Sequence, residues 1–199
     1  MRTNQWFLAQ KLRCLRNHGA SISDLERHMG ARPYILAEYP EAGYNQRMTD
    51  FQAAIGSAQM DKARTILESR RRQARCYDQL LSNYDWILTP RVLENYIHGY
   101  QSYVTLFRPE EPSLKNVDRL HSKRNGVMAD LEAKGIATRQ GTHSPVIQSY
   151  YAEKYGLRFE QFPNAYIADR LTLALPMYVQ LTEKEQDRVC RELSKAING

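Results

Sequence analysis

Apolar positions along this chain recur first with a helical period and later with an alternation of helix and strand. Phe7, Leu8, Leu12 and Leu15 fall on one side of a basic amphipathic helix over 5–16. Asn17-His18-Gly19 then offers a glycine stop. A short polar helix is expected over 21–29, and a short strand at 34–37 within a segment broken by Gly30, Pro33, Pro40 and Gly43. Thr49 or Asp50 is placed to cap the next helix. Its early face carries Phe51, Ala54, Ile55 and Ala58, small enough in part for another packed element to approach closely. The pattern continues through Ala63, Ile66, Leu67, Ala74, Tyr77 and Leu81 to a stop at Ser82-Asn83, with a kink expected near Gly56–Asp61.

Past Pro90 the pattern changes. "YQSYVTLF" (100–107) is aromatic and β-branched, a strand signal ended by Pro109 and Pro112. Asn116 opens a helix with Val117, Leu120, Val127, Met128 and Leu131 on one face, closed at Lys134-Gly135. "IATR" (136–139) starts a strand, Pro163 opens a helix, and "LTLALP" (171–176) reads as a short buried strand. Thr182 and Glu185 form a capping box for a last helix that buries Val189, Leu193 and Ile197. The order predicts an α/β domain over about 85–199, preceded by a helical segment with hardly any sheet of its own to cover.

Composition narrows the classes without choosing among them. With 199 residues the chain suits one large domain or one and a half small ones. The net charge of +6 arises from interspersed signs, so it permits nucleic acid or phosphorylated small molecules as ligands and selects neither. Cys14, Cys76 and Cys190 are odd in number and far apart, which gives no zinc or disulfide framework. No apolar run approaches the ~20 residues of a membrane span, and the stretch Trp6 to Ala9 is too short for a signal-peptide core. The expectation is a soluble cytoplasmic protein with no membrane partner.

Three stretches carry candidate chemistry. In Gly43-Tyr44-Asn45-Gln46-Arg47, glycine permits close backbone approach, Asn45 offers an amide and Arg47 a guanidinium fork, all just ahead of a helix start. That chemistry suits a phosphate; an ordinary helix-entry loop would look the same. Arg70-Arg71-Arg72-Gln73-Ala74-Arg75 is the strongest nucleic-acid signal, yet a solvated helix face with Glu68 pairing to Arg72 explains it as well, and no recognition helix or RNA-binding strand motif accompanies it. His143 lies in "RQGTHSP", a loop after a strand, where binding groups concentrate. The five histidines show no metal-ligand spacing, and no P-loop, GxGxxG or Gly-x-Ser-x-Gly is present.

Taken together these residues resemble a known family. "GYNQRMTDFQAAIGSAQMDKA" (43–63) is similar to the G-Y-N-x-R-M-T-D-x-Q-A-A-I-G-x-x-Q motif of the DegT/StrS family of pyridoxal-phosphate (PLP) dependent sugar-nucleotide aminotransferases. "KLRCLRNHG", "YQSYVTL", "LEAKGIATRQGTHSPV", "YYAEKYGL" and "FPNAYIADRLTLALPMYVQLTEKEQDRV" follow in family order, the last two most like the perosamine-synthase-like branch. The resemblance implies the C-terminal part of an aspartate-aminotransferase-type fold. Residues 1–48 would end the large PLP-binding domain, 49–84 form the long connecting helix, and 85–199 the small α/β domain. It implies PLP as cofactor, a nucleotide-linked keto-sugar and an amino-acid donor as substrates, and a homodimer or a complete aminotransferase subunit as partner. Asn45 would reach the PLP phosphate of a neighbouring subunit. Arg47, Arg139 and His143 would border the sugar-nucleotide pocket. Gln101 stands where many relatives carry a histidine.

One departure matters most. The family's Schiff-base lysine lies ahead of a Gly-Glu-Gly-Gly-Met stretch, and this chain opens at Met1-Arg2-Thr3-Asn4, where that Met would be. Lys11, Lys62 and Lys115 are not in a matching context. The expectation is that the lysine which holds the cofactor and moves the proton is absent from these residues, as are the aspartate and most of the phosphate cup.

Overall fold

The computed structural model describes residues 4–22 and 37–198. The expected helix over 21–29 and most of the expected strand at 34–37 lie outside them. The chain divides into two compact units, Met1–Asp61 and Lys62–Gly199.

In the first unit α1 (Trp6–Arg16) forms where its periodicity places it, with Arg13 and Arg16 in the last turn beside the negative end of the helix dipole. None of its residues is buried. It closes through the expected glycine: Gly19 has φ +81° and its N–H donates to the Cys14 carbonyl at 2.9 Å. Helix α2 (Asp50–Leu81) is 32 residues long and continuous through Gly56–Asp61, where a kink was expected. Thr49 caps it reciprocally with Gln52: the Gln52 N–H donates to Thr49 Oγ1 at 3.3 Å and the Thr49 N–H to Gln52 Oε1 at 3.0 Å. The early face expected to pack is bare, with Phe51 86% and Ile55 65% exposed.

The second unit contains the later part of α2 and a four-stranded sheet. Its strands are β1 (Ile87–Leu88), β2 (Tyr103–Phe107), β3 (Arg139–Gln140) and β4 (Thr172–Leu175), in the order β1-β2-β4-β3 with every pairing antiparallel. Tyr103 pairs with Leu175 and Thr105 with Leu173, which fixes which side chains share a face. Helices α3 (Val117–Ala133), α4 (Ser149–Tyr155), α5 (Pro163–Leu171) and α6 (Glu183–Asn198) complete the unit. Tyr77, Leu81, Tyr103, Phe107, Val127, Leu131, Leu173 and Leu193 belong to one buried cluster, and Val117, Leu120, Tyr166 and Leu171 to a second. The expected strand at 136–139 is shorter, Arg139–Gln140, because the chain first leaves α3 through Gly135 at φ +71° and buries Ile136. Asn116 stands at the start of α3 without capping it; its Oδ1 accepts the Ser113 N–H instead.

The C-terminal half of α2 attaches to this unit through polar side chains. Ser69, Gln73 and Tyr77, four residues apart, are buried. Ser69 Oγ donates to the Val179 carbonyl at 3.1 Å and Tyr77 OH to that of Pro176 at 2.9 Å. The Gln73 amide donates to the carbonyl of Tyr178 at 2.7 Å and, at 3.2 Å each, to those of Val179 and Leu181. Gln186 of α6 returns a bond to the Gln73 carbonyl at 2.9 Å. Burial pushes the Tyr77 hydroxyl pKa up, and the Cys190 thiol up to about 12. All three cysteines are free.

At the surface Glu192 of α6 sits between Lys134 and Lys195, each at 2.7 Å. Hydrogen bonds from the two ammonium groups hold its carboxyl down at about 2. A depressed carboxyl stabilises the fold above its unfolded value and loses that effect as pH falls through its folded value. Glu192→Gln should therefore lower the thermal midpoint slightly near neutral pH. The difference from the parent should close as the pH is taken from about 4.5 down to about 2, measured by thermal melts across that range.

Candidate functional site

The loop that follows α1 and the Gly43–Arg47 loop hold each other through their backbones. The Tyr44 N–H donates to the Leu15 carbonyl at 2.7 Å, the His18 N–H to Tyr44 at 3.0 Å, and the Gln46 N–H to Arg16 at 2.9 Å. Asn17 and Asn45 form an antiparallel bridge. Two glycines make this approach possible. A Cβ on Gly43 would stand 2.1 Å from the Gly19 nitrogen and 2.7 Å from the Leu15 carbonyl oxygen, and one on Gly19 only 1.8 Å from the Glu41 carbonyl oxygen. The main chain of Asn45 is thus fixed while its residue stays exposed. Arg47 Nη1 donates to Asn17 Oδ1 at 2.6 Å, and Lys11 pairs with Glu41 across the same loops. Asn45 and Arg47 are brought together in one rigid turn, and the sequence motif is the signal that exposed it.

Arg139 and His143 belong to the second unit. Arg139 pairs with Ala174 in the sheet, is exposed, and its guanidinium donates to the Thr138 carbonyl at 2.8 Å. His143 is exposed in the loop that leaves β3, with Nδ1 at 3.3 Å from the Gln140 amide, which also donates to the Thr142 carbonyl at 2.8 Å. That loop is strongly anchored. The Gly141 N–H points to the Thr172 carbonyl at 3.4 Å, the Thr142 N–H to Thr172 Oγ1 at 3.1 Å, and the Ser144 N–H to Asp169 Oδ2 at 2.7 Å. A Cβ on Gly141 would meet Val104 Cγ1 at 2.3 Å. Neither Asp169 nor Thr172 was singled out from the sequence. An aspartate two residues ahead of the run 171–175, which holds the buried strand β4, was the signal available.

Nearby, Arg124 of α3, which the sequence did not single out, is almost fully buried. Its Nε and Nη2 donate to the Arg170 carbonyl at 3.0 and 2.7 Å. Burial lowers its pKa, and the Asp169 charge opposes that shift.

The basic run of α2 is explained differently from either reading of the sequence. Arg70 Nη1 donates to the carbonyls of Tyr100 and Gln101 at 2.8 Å, and Arg71 Nε to that of His98 at 3.2 Å. These arginines tie down a loop in which Asn95 and Tyr100 take positive φ, at +66° and +46°. Donors directed at the chain's own backbone are not aimed at phosphates. Glu68 pairs with Arg64 at 2.9 Å and not with Arg72. Glu94 and His98 form no catalytic pair: the His98 ring accepts the Tyr100 N–H and lies edge-on to its ring. Among the described residues no cluster of His, Cys, Asp or Glu is placed to hold a metal ion, and no helix is long and apolar enough to cross a membrane.

Comparison with known proteins covers nearly the whole chain. The model of the DegT/DnrJ/EryC1/StrS aminotransferase family matches residues 1–194. An uncharacterized protein of Methanocaldococcus jannaschii, MJ1066, is 27% identical over 191 residues, 96% of this chain and 47% of that protein. Among solved structures, Spr1654 from Streptococcus pneumoniae in its PMP-form superimposes with a TM-score of 0.78 at 20% identity, over 98% of this chain and 46% of that one. Its PLP-form gives 0.76. Helicobacter pylori PseC, an aminotransferase involved in the biosynthesis of pseudoaminic acid, gives 0.77 at 17% identity, over 98% and 47%. The chain spans about half the length of these relatives.

The Gly19–Gly43 contact should be intolerant of a single methyl group. Gly43→Ala is expected to cost ~1–3 kcal/mol of local stability, the range for forcing extra volume into a packed contact. Hydrogen exchange should rise at the Tyr44 and Gln46 amides and remain unchanged in the β2–β4 ladder.

Proposed function

Because the chain belongs to the DegT/DnrJ/EryC1/StrS aminotransferase family, we propose that it is the C-terminal portion of a PLP-dependent sugar aminotransferase. In this reading the complete protein passes an amino group from an amino-acid donor to a nucleotide-linked keto-sugar. The observation that carries the reading is the family match along 1–194 coupled to the interlocked loops that fix Asn45 and Arg47. These two residues supply an amide and a guanidinium from one turn, a donor set that fits phosphate oxygens. That is the part of a PLP site these residues fit. On this reading none of the chain's own lysines anchors the cofactor, which when bound would serve as the electron sink for the transfer.

The chain's own residues orient and bind. Asn45 would donate to the cofactor phosphate in a neighbouring subunit of a homodimer. Arg47, Arg139 and His143 would meet the sugar nucleotide, the cations against its phosphates and the imidazole against the sugar. A second reading, a half-enzyme that assembles with a lysine-bearing subunit, draws support from the bare face of Phe51, Ile55 and Met60. Both readings place the protein in the cytoplasm, where nucleotide-linked sugars are made.

Purification of the native protein from its source cells tests the proposal. A mass well above 23.2 kDa with donor-dependent amination of a keto-sugar nucleotide is the expected result. A 23.2 kDa protein without PLP or partner would remove both readings. The 199-residue chain alone, incubated with PLP and borohydride, should yield no stoichiometric adduct at any single lysine. Peptide mapping that found one would show that the anchoring lysine lies in this chain after all.

A further inference from the structure

We propose that Asp169 is the positioning residue for the His143 loop: its carboxylate accepts the Ser144 backbone N–H and so fixes where His143 is held. The inference rests on the reading above for why His143 matters, and on the geometry alone for how it is held.

A buried carboxylate needs a reason, since moving it out of water is costly without compensating bonds. Asp169 is 3% exposed. It stands in the last turn of α5, three residues before Thr172 opens β4, the central partner of both β2 and β3. Its Oδ2 lies 2.7 Å from the Ser144 nitrogen. Ser144 is equally buried at 3%, yet its own hydroxyl has no partner. The side chain of Ser144 is therefore not what secures the loop; its amide is. The charge of Asp169 acts on the buried Arg124 guanidinium of α3, an opposite charge that helps to offset the cost of burying the carboxylate.

Thr172 doubles the anchor. Its hydroxyl donates to the Ala168 carbonyl at 2.6 Å and accepts the Thr142 N–H at 3.1 Å, so it is fixed before it receives the loop. Gly141 lies against Val104 and Thr172 with no room for a side chain. The loop is thus gripped at 141, 142 and 144, and the position left projecting between the grips is His143. Gln140 then meets the imidazole from the strand side at 3.3 Å. A histidine on a loop of this kind is held in place before any ligand arrives, which lowers the ordering cost of binding.

The test uses the 199-residue chain and needs neither cofactor nor substrate. Amide exchange and the His143 ring resonances would be followed by NMR in the parent, Asp169→Ala, Asp169→Asn and Ser144→Ala. In Asp169→Ala the Thr142 and Ser144 amides should exchange at least tenfold faster. The His143 ring signals should move toward random-coil positions, with the β2–β4 ladder unchanged. Asp169→Asn keeps an oxygen acceptor and should restore both signals; Ser144→Ala should match the parent. Unchanged loop protection in Asp169→Ala would overturn the proposal, as would an Asp169→Asn variant as loose as the alanine. Should Asp169→Ala fail to fold, scalar coupling across the bond from the Ser144 N–H to the Asp169 carboxyl in the parent decides: present, it supports the anchor, and absent, it overturns it. Substituting His143 in the native enzyme and finding no change in sugar-nucleotide KM would count against the functional reading alone and leave the anchor standing.

Discussion

The second unit depends on a polar stripe where an apolar one would be expected. Ser69, Gln73 and Tyr77 follow one another at four-residue spacing on α2 and meet the carbonyls of Pro176, Tyr178, Val179 and Leu181, all within one short segment. That segment leaves β4 and leads into α6, so it has no ladder partner of its own. Its buried carbonyls must find donors, because an unmade buried hydrogen bond costs about 1–3 kcal/mol. The helix supplies them, and Gln186 closes the loop by binding the Gln73 carbonyl. Directional bonds of this kind fix the register of α2 along the unit more sharply than apolar contact would. Tyr77 adds its ring to the core, 4.9 Å from that of Tyr103, whose hydroxyl in turn reaches Asp78 at 2.5 Å.

The same logic recurs at the loops that carry the candidate chemistry. In neither unit is an exposed candidate residue held by its own side chain alone. Asn45 is fixed by main-chain bonds to the end of α1 and by two glycines that let the strands of backbone touch. His143 is fixed by bonds to its neighbours at 141, 142 and 144. The functional side chains are left exposed, and the cost of ordering them is met by backbone contacts on either side. Arg70 and Arg71 act likewise on the 98–101 loop, which lets Tyr100 keep a left-handed backbone that a bulky residue seldom adopts.

The early half of α2 stands apart from this economy of buried bonds. From Asp50 to Lys62 every residue is exposed, including Phe51, Ile55 and Met60. Its small residues read from sequence as a surface for close packing, and nothing among the described residues covers them. The C-terminal half of this helix buries Ser69, Gln73, Ala74, Tyr77 and Leu81, whereas its N-terminal half buries none.

By itself the sequence determined the helices, their stops and much of the core. Periodicity placed α1, α2, α3 and α6, the glycines at 19 and 135 closed helices as expected, and the Thr182–Glu185 box formed as written. These features are local: each depends on residues within a few positions of one another, so a linear reading finds them. The ordered motifs likewise identified the family, since they are a property of the string. Only the tertiary structure decided what the polar residues do. Gln73, Arg124, Asp169 and Gln186 look like solvated positions in a linear pattern. They are buried because the carbonyls or amides they serve lie 25 to 113 residues away. The arginine run looked like a charged surface until its partners, the carbonyls of a distant loop, were in view. Long-range hydrogen bonding leaves no period in the sequence, and that is why this layer of the protein became legible only in three dimensions.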